Sequence, residues 1–308
     1  MPLGRTRSAA LCLGLLMLGT PVAHAILAGG EFDLPADRPS NRLDPLGVDS
    51  PYNAVGALSI FTGSQTYYGS AVALSPNWVL TAGHNVDFSD DGLVDAGLTV
   101  SLHLSGLHIG TPSSITMHPS FTGFGNPSIH HDLALFYFED PIADALFQPV
   151  LGLSMEVGDV VTLVGYGRSG FGSYGYTTSA SLTDRSIGYN TIASLQAESN
   201  GIGLLYRYNF DPPASAASLG NDLETIIGPG DSGGPALIPW RDSYALVGIN
   251  TFTEGYGGRF GDIGGGVALD PYWTWIAEVT GLAMIPEPSV VLMMLSGSLV
   301  ILLRHRRR

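Results

Sequence analysis

The chain has 308 residues, with 13 arginines and no lysine against 27 acids, a formal charge of −14, and one cysteine. That length is enough for one large or two modest domains with a buried core. Its charged fraction of 13% is about half the ~25% usual for globular proteins. An acidic chain without a basic face excludes nucleic-acid binding, and the lone Cys12 excludes a disulfide framework.

Residues 1–25 have the three parts of a secretory signal. Arg5 and Arg7 form the positive start, Ala9–Gly19 the apolar stretch, and Ala23-His24-Ala25 a small-residue cleavage site. Signal peptidase is therefore an expected partner, and cleavage after Ala25 removes Cys12 as well. Residues 26–50, rich in proline and acids, lack a periodic apolar pattern and read as an extended N-terminal strap.

From residue 51 the texture is all-β. Val55–Phe61, Trp78–Thr81, Leu98–Leu104, Leu133–Phe138, Val160–Val164 and Tyr244–Thr251 are short apolar runs separated by Gly, Pro, Ser and Asn clusters. Such spacing predicts a sandwich or barrels rather than alternating strands and helices. Only Pro271–Thr280 reads as helical, opened by proline and stopped by Gly281.

Three segments carry chemistry. Trp78-Val79-Leu80-Thr81-Ala82-Gly83-His84 delivers a histidine at the end of an apolar strand. His131-Asp132-Leu133-Ala134-Leu135-Phe136 places an aspartate at the head of another. Gly228-Pro229-Gly230-Asp231-Ser232-Gly233-Gly234-Pro235 embeds a serine among glycines, which destabilise a chain unless their backbone freedom is needed. Singly, the histidine reads as structural and the aspartate as a turn residue. Together, in the order His, Asp, Ser with gaps of 48 and 100 residues, they resemble the chymotrypsin/trypsin family of serine endopeptidases over about residues 51–280.

That resemblance implies two antiparallel six-stranded Greek-key β-barrels with a short C-terminal helix: barrel 1 over about 51–142, barrel 2 over about 143–270, and the helix over 271–280, all within a domain at 51–284. It implies Ser232 as nucleophile, His84 as the base that takes its proton, Asp132 as the partner fixing the imidazole tautomer, and the N–H groups of Gly230 and Ser232 as the oxyanion hole. Leu246–Phe252 is similar to the family strand that binds substrate backbone. Thr251 stands where a serine commonly supports the aspartate, and Phe252, Thr253 and Gly266 stand around the pocket. Six residues before Ser232, where the family sets specificity, stands Ile226. It implies an apolar or small side chain at the scissile bond, unless Asp222 or Glu224 reaches the pocket. Cleavage after Ala25 frees Ile26, whose ammonium is expected to pair with Asp231, as in the family's activation. Gly165-Tyr166-Gly167 is similar to a family turn in the second barrel.

Asp87, Ser89, Asp91 and Asp95 stand at positions 1, 3, 5 and 9 of an EF-hand-type loop with Gly92 at 6, but Leu98 takes the place of the twelfth-position carboxylate. A structural calcium site and an acidic surface loop are both open readings; no other cofactor is expected. His103, His108, His118, His130 and His131 show no metal-ligand spacing and read as loop or strand-face residues.

The C-terminus runs Ile285-Pro286-Glu287-Pro288, apolar Val290–Leu303, then Arg304-His305-Arg306-Arg307-Arg308. This mainly apolar segment of 14 residues is short for a span of about 20, but the arginine cluster supplies a positive anchor. The three parts over 285–308 resemble the PEP-CTERM sorting signal of Gram-negative bacteria. This implies an exosortase-type processing enzyme as partner and transient membrane contact through 290–303. It also implies export across the inner membrane, to the cell surface or beyond after C-terminal processing. Six of the 13 arginines lie in these two terminal segments, leaving residues 26–284 with seven arginines against 26 acids. The function these features imply is an exported serine endopeptidase acting on protein or peptide substrates through an acyl-enzyme. The alternative is a catalytically idle relative serving as a surface adhesion or matrix-binding module.

Overall fold

Runs of β-branched and aromatic residues fit a pleated, half-buried surface better than a helix, and the chain uses them as strands throughout. The structure, a computed structural model, describes residues 26–28, 30, 39–124, 129–142, 149–198, 202–220, 223–255 and 257–285. The expected signal peptide and all of the sorting segment beyond Ile285 lie outside these.

The first half contributes β1 (Leu27–Ala28), β2 (Val55–Phe61), β3 (Thr66–Ala73), β4 (Trp78–Thr81), β5 (Thr99–Leu104), β6 (Leu107–Gly110), β7 (Ser114–Met117) and β8 (Ala134–Tyr137). The second contributes β9 (Val160–Gly165), β10 (Gly170–Phe171), β11 (Gly175–Tyr176), β12 (Ser186–Thr191), β13 (Ser194–Ala197), β14 (Leu204–Asn209), β15 (Thr225–Ile226), β16 (Pro235–Trp240), β17 (Ser243–Glu254) and β18 (Ile263–Ala268). Two antiparallel seven-stranded sheets result, ordered β6-β5-β2-β3-β4-β8-β7 and β12-β9-β16-β17-β18-β14-β13. Each has one strand more than the expected six. The additions are short outer arms: β6, which folds back from β5 across the left-handed Ser105-Gly106 turn, and β13, the outer arm of the hairpin with β14.

Each sheet curls around its own apolar filling. Leu58, Ile60, Val79, Leu80, Leu102 and Phe136 are buried in the first, and Val161, Leu163, Tyr206, Tyr208 and Val247 in the second. The helix α1 (Trp273–Thr280) follows a 3-10 turn at Asp270–Tyr272 and ends at Gly281, whose φ of 71° and N–H bond to the Ala277 carbonyl form a left-handed cap. This agrees with the helix expected at 271–280. Among the described residues, no helix is long and apolar enough to cross a membrane.

The strap is tied down at two points. Leu27 and Ala28 form β1 in a small third sheet, paired antiparallel with β15 and parallel with β10. Further on, Asp44 accepts from the Arg185 guanidinium at 2.7 Å, the two side chains being 1% and 4% exposed, and Arg185 also donates to the Gly47 carbonyl. Removing one member of a buried ion pair strands the other charge away from water, at about 3–5 kcal/mol. Asp44→Ala is therefore expected to lower Tm by roughly 10 °C, measured by calorimetry; an unchanged Tm would show that water already reaches the pair.

Candidate active site

Antiparallel pairing brings the first two site residues together. β4 runs beside β8 with Thr81 opposite Ala134, so the chain leaving β4 and the chain entering β8 meet at the same end. His84 lies three residues beyond Thr81, in a 3-10 turn at Gly83–Asn85, and Asp132 two before Ala134. The Asp132 carboxylate is fully buried and accepts two hydrogen bonds from one residue: Oδ1 from the His84 backbone N–H at 2.8 Å and Oδ2 from Nδ1 at 2.7 Å. Burial pushes the His84 imidazole down, but the Asp132 carboxylate, with a smaller contribution from Asp87, more than offsets this and holds it above its ordinary 6.5. With Nδ1 turned to Asp132, Nε2 is free to act on a neighbour.

Ser232 faces His84 across a cleft of about 250 Å3. Its loop is held by carbonyls. The Ser232 carbonyl accepts from the Ser70 N–H at 2.8 Å and from the Asn85 amide at 3.0 Å, and the Gly230 carbonyl accepts from the Ser70 hydroxyl at 2.9 Å. The N–H groups of Asp231, Gly233 and Gly234 are all spent on backbone carbonyls. Those of Gly230 and Ser232 have no acceptor among the described residues, and such a pair of donors suits a developing oxyanion. Gly230 has φ of 100°, and a Cβ on it would meet the Gly167 Cα at 2.8 Å. Glycine is required there on both counts.

The cleft is lined by His84, Phe124, Ile227, Gly228, Pro229, Ser232, Thr251, Phe252 and Thr253. Apart from His84, none of these carries an ionisable side chain. β17 leaves β16 after Asn250, whose N–H goes to the Gly234 carbonyl, while Phe252 and Thr253 still pair with Gly265 and Gly264 of β18. One edge of residues 251–253 thus faces the cleft, where an extended peptide can add as a strand.

Two pocket expectations, Ile226 and Gly266, are corrected, and so is the support that Thr251 was expected to give Asp132; Thr251 itself lines the cleft. Ile226 sits in β15 opposite Leu27, buried in the second core, and the wall is formed by Ile227, one residue later. Gly266 is paired with Asn250 on one side and Tyr206 on the other, so closely that a Cβ would meet the Ile249 carbonyl oxygen at 1.9 Å, and it is not among the residues lining the cleft. The Thr251 hydroxyl is buried without a hydrogen-bond partner among the described residues and does not reach Asp132. Glu224 is also accounted for. Its buried carboxylate caps the Asp211 and Leu219 N–H groups, so it does not serve the pocket. Asp222 lies outside the described residues.

Ile26 and Asp231, far apart in sequence, are in contact. Ile26 is fully buried, its carbonyl accepts from the Ser169 hydroxyl, and its N–H donates to the Asp231 carboxylate. Asp231 also accepts from Gly228 and Gly167 at 2.8 Å each. Burial nevertheless pushes it up to about 7, against the lowering effect of these three N–H groups. Gly167 lacks a side chain for a steric reason, since a Cβ there would stand 2.5 Å from the Asp231 nitrogen.

In the acidic loop, Asp87, Asp91 and Asp95 each bring an oxygen within 4.8 Å of the others. The same carboxylates accept loop N–H groups: Asp87 from Asp91 and Gly92, Asp91 from Leu93, and Asp95 from Phe88 and Ser89. The Ser89 hydroxyl turns to Asp87 at 3.4 Å.

Sequence reasoning missed Ser70 and Asn85. The Ser70 hydroxyl also accepts from the Tyr166 N–H, and the Asn85 amide also reaches Thr81. Asn85 follows His84 directly, which was the one available hint. Its bond to Ser232 spans 147 residues and leaves no pattern in the chain. His118 and His131, read as loop or strand-face residues, are buried at 8% and 4% exposure.

Two curled antiparallel sheets, with a His–Asp pair on one side of a cleft and a glycine-embedded serine on the other, define the two-barrel class of serine proteases. Residues 48–276 match the family model described as Trypsin, and the chain belongs to the trypsin-like family. Among solved structures it is similar to neuropsin, a serine protease expressed in the limbic system of mouse brain. The TM-score is 0.55 at 17% identity, over 77% of this chain and 98% of that one. Comparison with curated proteins gives no match.

Proposed function

We propose that this chain is an exported serine endopeptidase. Ser232 attacks a peptide carbonyl, His84 takes its proton and returns it to the leaving amine, and Asp132 holds the imidazole in the tautomer that leaves Nε2 free. The developing oxyanion accepts from the Gly230 and Ser232 N–H groups, and an acyl-enzyme forms that water then hydrolyses. The observation that carries this reading is the double hydrogen bond from His84 to Asp132 beside a serine loop with two N–H donors unspent among the described residues. An idle binding module would need neither.

The apolar walls from Ile227, Pro229 and Phe252 favour an apolar or small residue before the scissile bond. Export rests on the N-terminal signal, removed by signal peptidase, and on the PEP-CTERM-like tail, a substrate for an exosortase-type enzyme after transient membrane contact through 290–303. Cleavage after Ala25 frees Ile26 where it already touches Asp231.

A panel of peptides tests the proposal. Cleavage after Leu or Ala is expected to outpace cleavage after Arg. Because His84 must be unprotonated to accept the serine proton, and is held above 6.5, kcat/KM should fall on acidification through a midpoint above that value. Fast cleavage after Arg alone would overturn the specificity, and no hydrolysis of any peptide would favour the binding module.

A further inference from the structure

A second group of titratable side chains lies directly behind Asp132. His131 has φ of 61°, left-handed backbone that costs a residue with a side chain on the order of 1 kcal/mol. Its surroundings hold it there. The His131 N–H donates to the Tyr272 hydroxyl at 3.1 Å, that hydroxyl lies 3.0 Å from Nδ1, and Nε2 lies 2.9 Å from the Glu198 carboxylate. With the ring neutral and its proton on Nε2, every group has a partner: Tyr272 O–H donates to Nδ1, and Nε2–H donates to Glu198.

The same ring is packed from three elements. His118, just past β7, stacks on it at 5.0 Å and 6°, its own Nδ1 accepting the Ser120 N–H. Tyr272 and Trp275, at the start of the C-terminal helix, meet His118 edge-on. Glu198 follows β13 and closes the β13–β14 hairpin through the Gly203 carbonyl, and His130 flanks His131 at 6.4 Å.

The arrangement matters because of what Asp132 lacks. Among the described residues, the hydrogen bonds to its carboxylate both come from His84, and the Thr251 hydroxyl does not add one. Among the described residues no other side chain bonds the carboxylate, so its aim depends on the backbone that carries it. That backbone is a tight turn in which the His131 carbonyl accepts the Leu133 N–H at 2.7 Å. We propose that His131, held by Glu198 and Tyr272, is a positioning residue that aims Asp132 at His84. It ties an aspartate of the first sheet to the hairpin of the second and to the C-terminal helix. This inference rests on reading Ser232, His84 and Asp132 as the triad.

Three variants of the mature protein test it: Glu198→Ala, Glu198→Gln and His131→Gly. Glycine keeps the left-handed backbone and removes the ring, while glutamine keeps an acceptor for Nε2–H and removes the charge. The readouts are the midpoint of the His84 ring titration by NMR, which needs no turnover, and the rate of Ser232 labelling by a fluorophosphonate. In Glu198→Ala and His131→Gly the midpoint should fall, because a displaced Asp132 no longer raises it. Labelling should slow between about tenfold and 10²-fold, the cost of roughly 1 Å of misplacement. Glu198→Gln should keep both near the wild-type values. Unchanged midpoints in Glu198→Ala and His131→Gly would overturn the proposal. So would an equal fall in Glu198→Gln, which would make the effect one of charge rather than of tethering. If wild-type Ser232 does not label, the hydrolase reading fails, while the His84 midpoints still decide the positioning claim.

Discussion

Asp132→Asn should lower kcat about 10⁴-fold with KM within a few-fold of wild type, as expected when the base is left in the wrong tautomer. The geometry dictates how this happens. Asp132 Oδ1 accepts the His84 backbone N–H at 2.8 Å, and Oδ2 faces Nδ1 at 2.7 Å. An asparagine must present its carbonyl to the backbone N–H, so its NH2 group points at Nδ1. The imidazole then carries its proton on Nε2 and cannot take the one on Ser232. The fold should survive, because the amide preserves the shape and the bond to the His84 backbone. Steady-state kinetics on a peptide, together with a melting curve, measure both parts. Activity within tenfold of wild type would mean that His84 is oriented by something other than Asp132.

The second large effect concerns Ile26. Placing one extra residue ahead of it should reduce kcat/KM by about 10²–10⁴-fold, the equivalent of leaving a buried charge without its partner at about 3–5 kcal/mol. Asp231 lies under the serine loop, with no cation beside it among the described residues while the chain continues upstream, and burial then pushes it up to about 7. A freed Ile26 ammonium sits where its N–H already donates to that carboxylate and compensates the charge. The pH dependence has a definite sign. In the extended form, Asp231 binds its proton more tightly folded than unfolded, so stability is lost as pH rises from about 4 through 7. In the freed form the ammonium removes that loss, and its own raised midpoint makes stability decline only above the ordinary 7.7–8.0 of an α-amino group. Thermal melts of the two forms from pH 4 to 9 read the difference. Parallel curves and equal activity would show that Asp231 needs no cation and that its three N–H donors suffice.

Much of the site was legible because its chemistry is rare in sequence. A serine among four glycines and two prolines, a histidine closing Trp78–Thr81 and an aspartate opening β8 announce themselves. Their meeting follows from the antiparallel register of Thr81 with Ala134. The strands were legible for the same local reason, and Gly281 marked the end of the helix. What failed was counting along a loop: six residues back from Ser232 gives Ile226, but the pairing of β15 with Leu27 turns that side chain into the core and leaves Ile227 at the cleft. Thr251 failed because β17 bulges between Asn250 and Phe252, so a residue at the expected position does not aim its hydroxyl as expected. The supports of Asp132 and Ser232 were invisible for a different reason. Tyr272 is 141 residues from His131, and Asn85 is 147 from Ser232. Each is an ordinary residue whose role exists only once both sheets have closed.

The most direct measurement is the intact mass of the mature protein after reaction with a fluorophosphonate, with the site mapped by peptide digestion and Ser232→Ala run alongside. If His84 activates Ser232, the wild type should gain one phosphonyl group on Ser232 and the variant none, with kcat in the variant lower by about 10⁶-fold. A wild-type protein that stays unlabelled, or labels equally in the variant, would contradict Ser232 as the nucleophile.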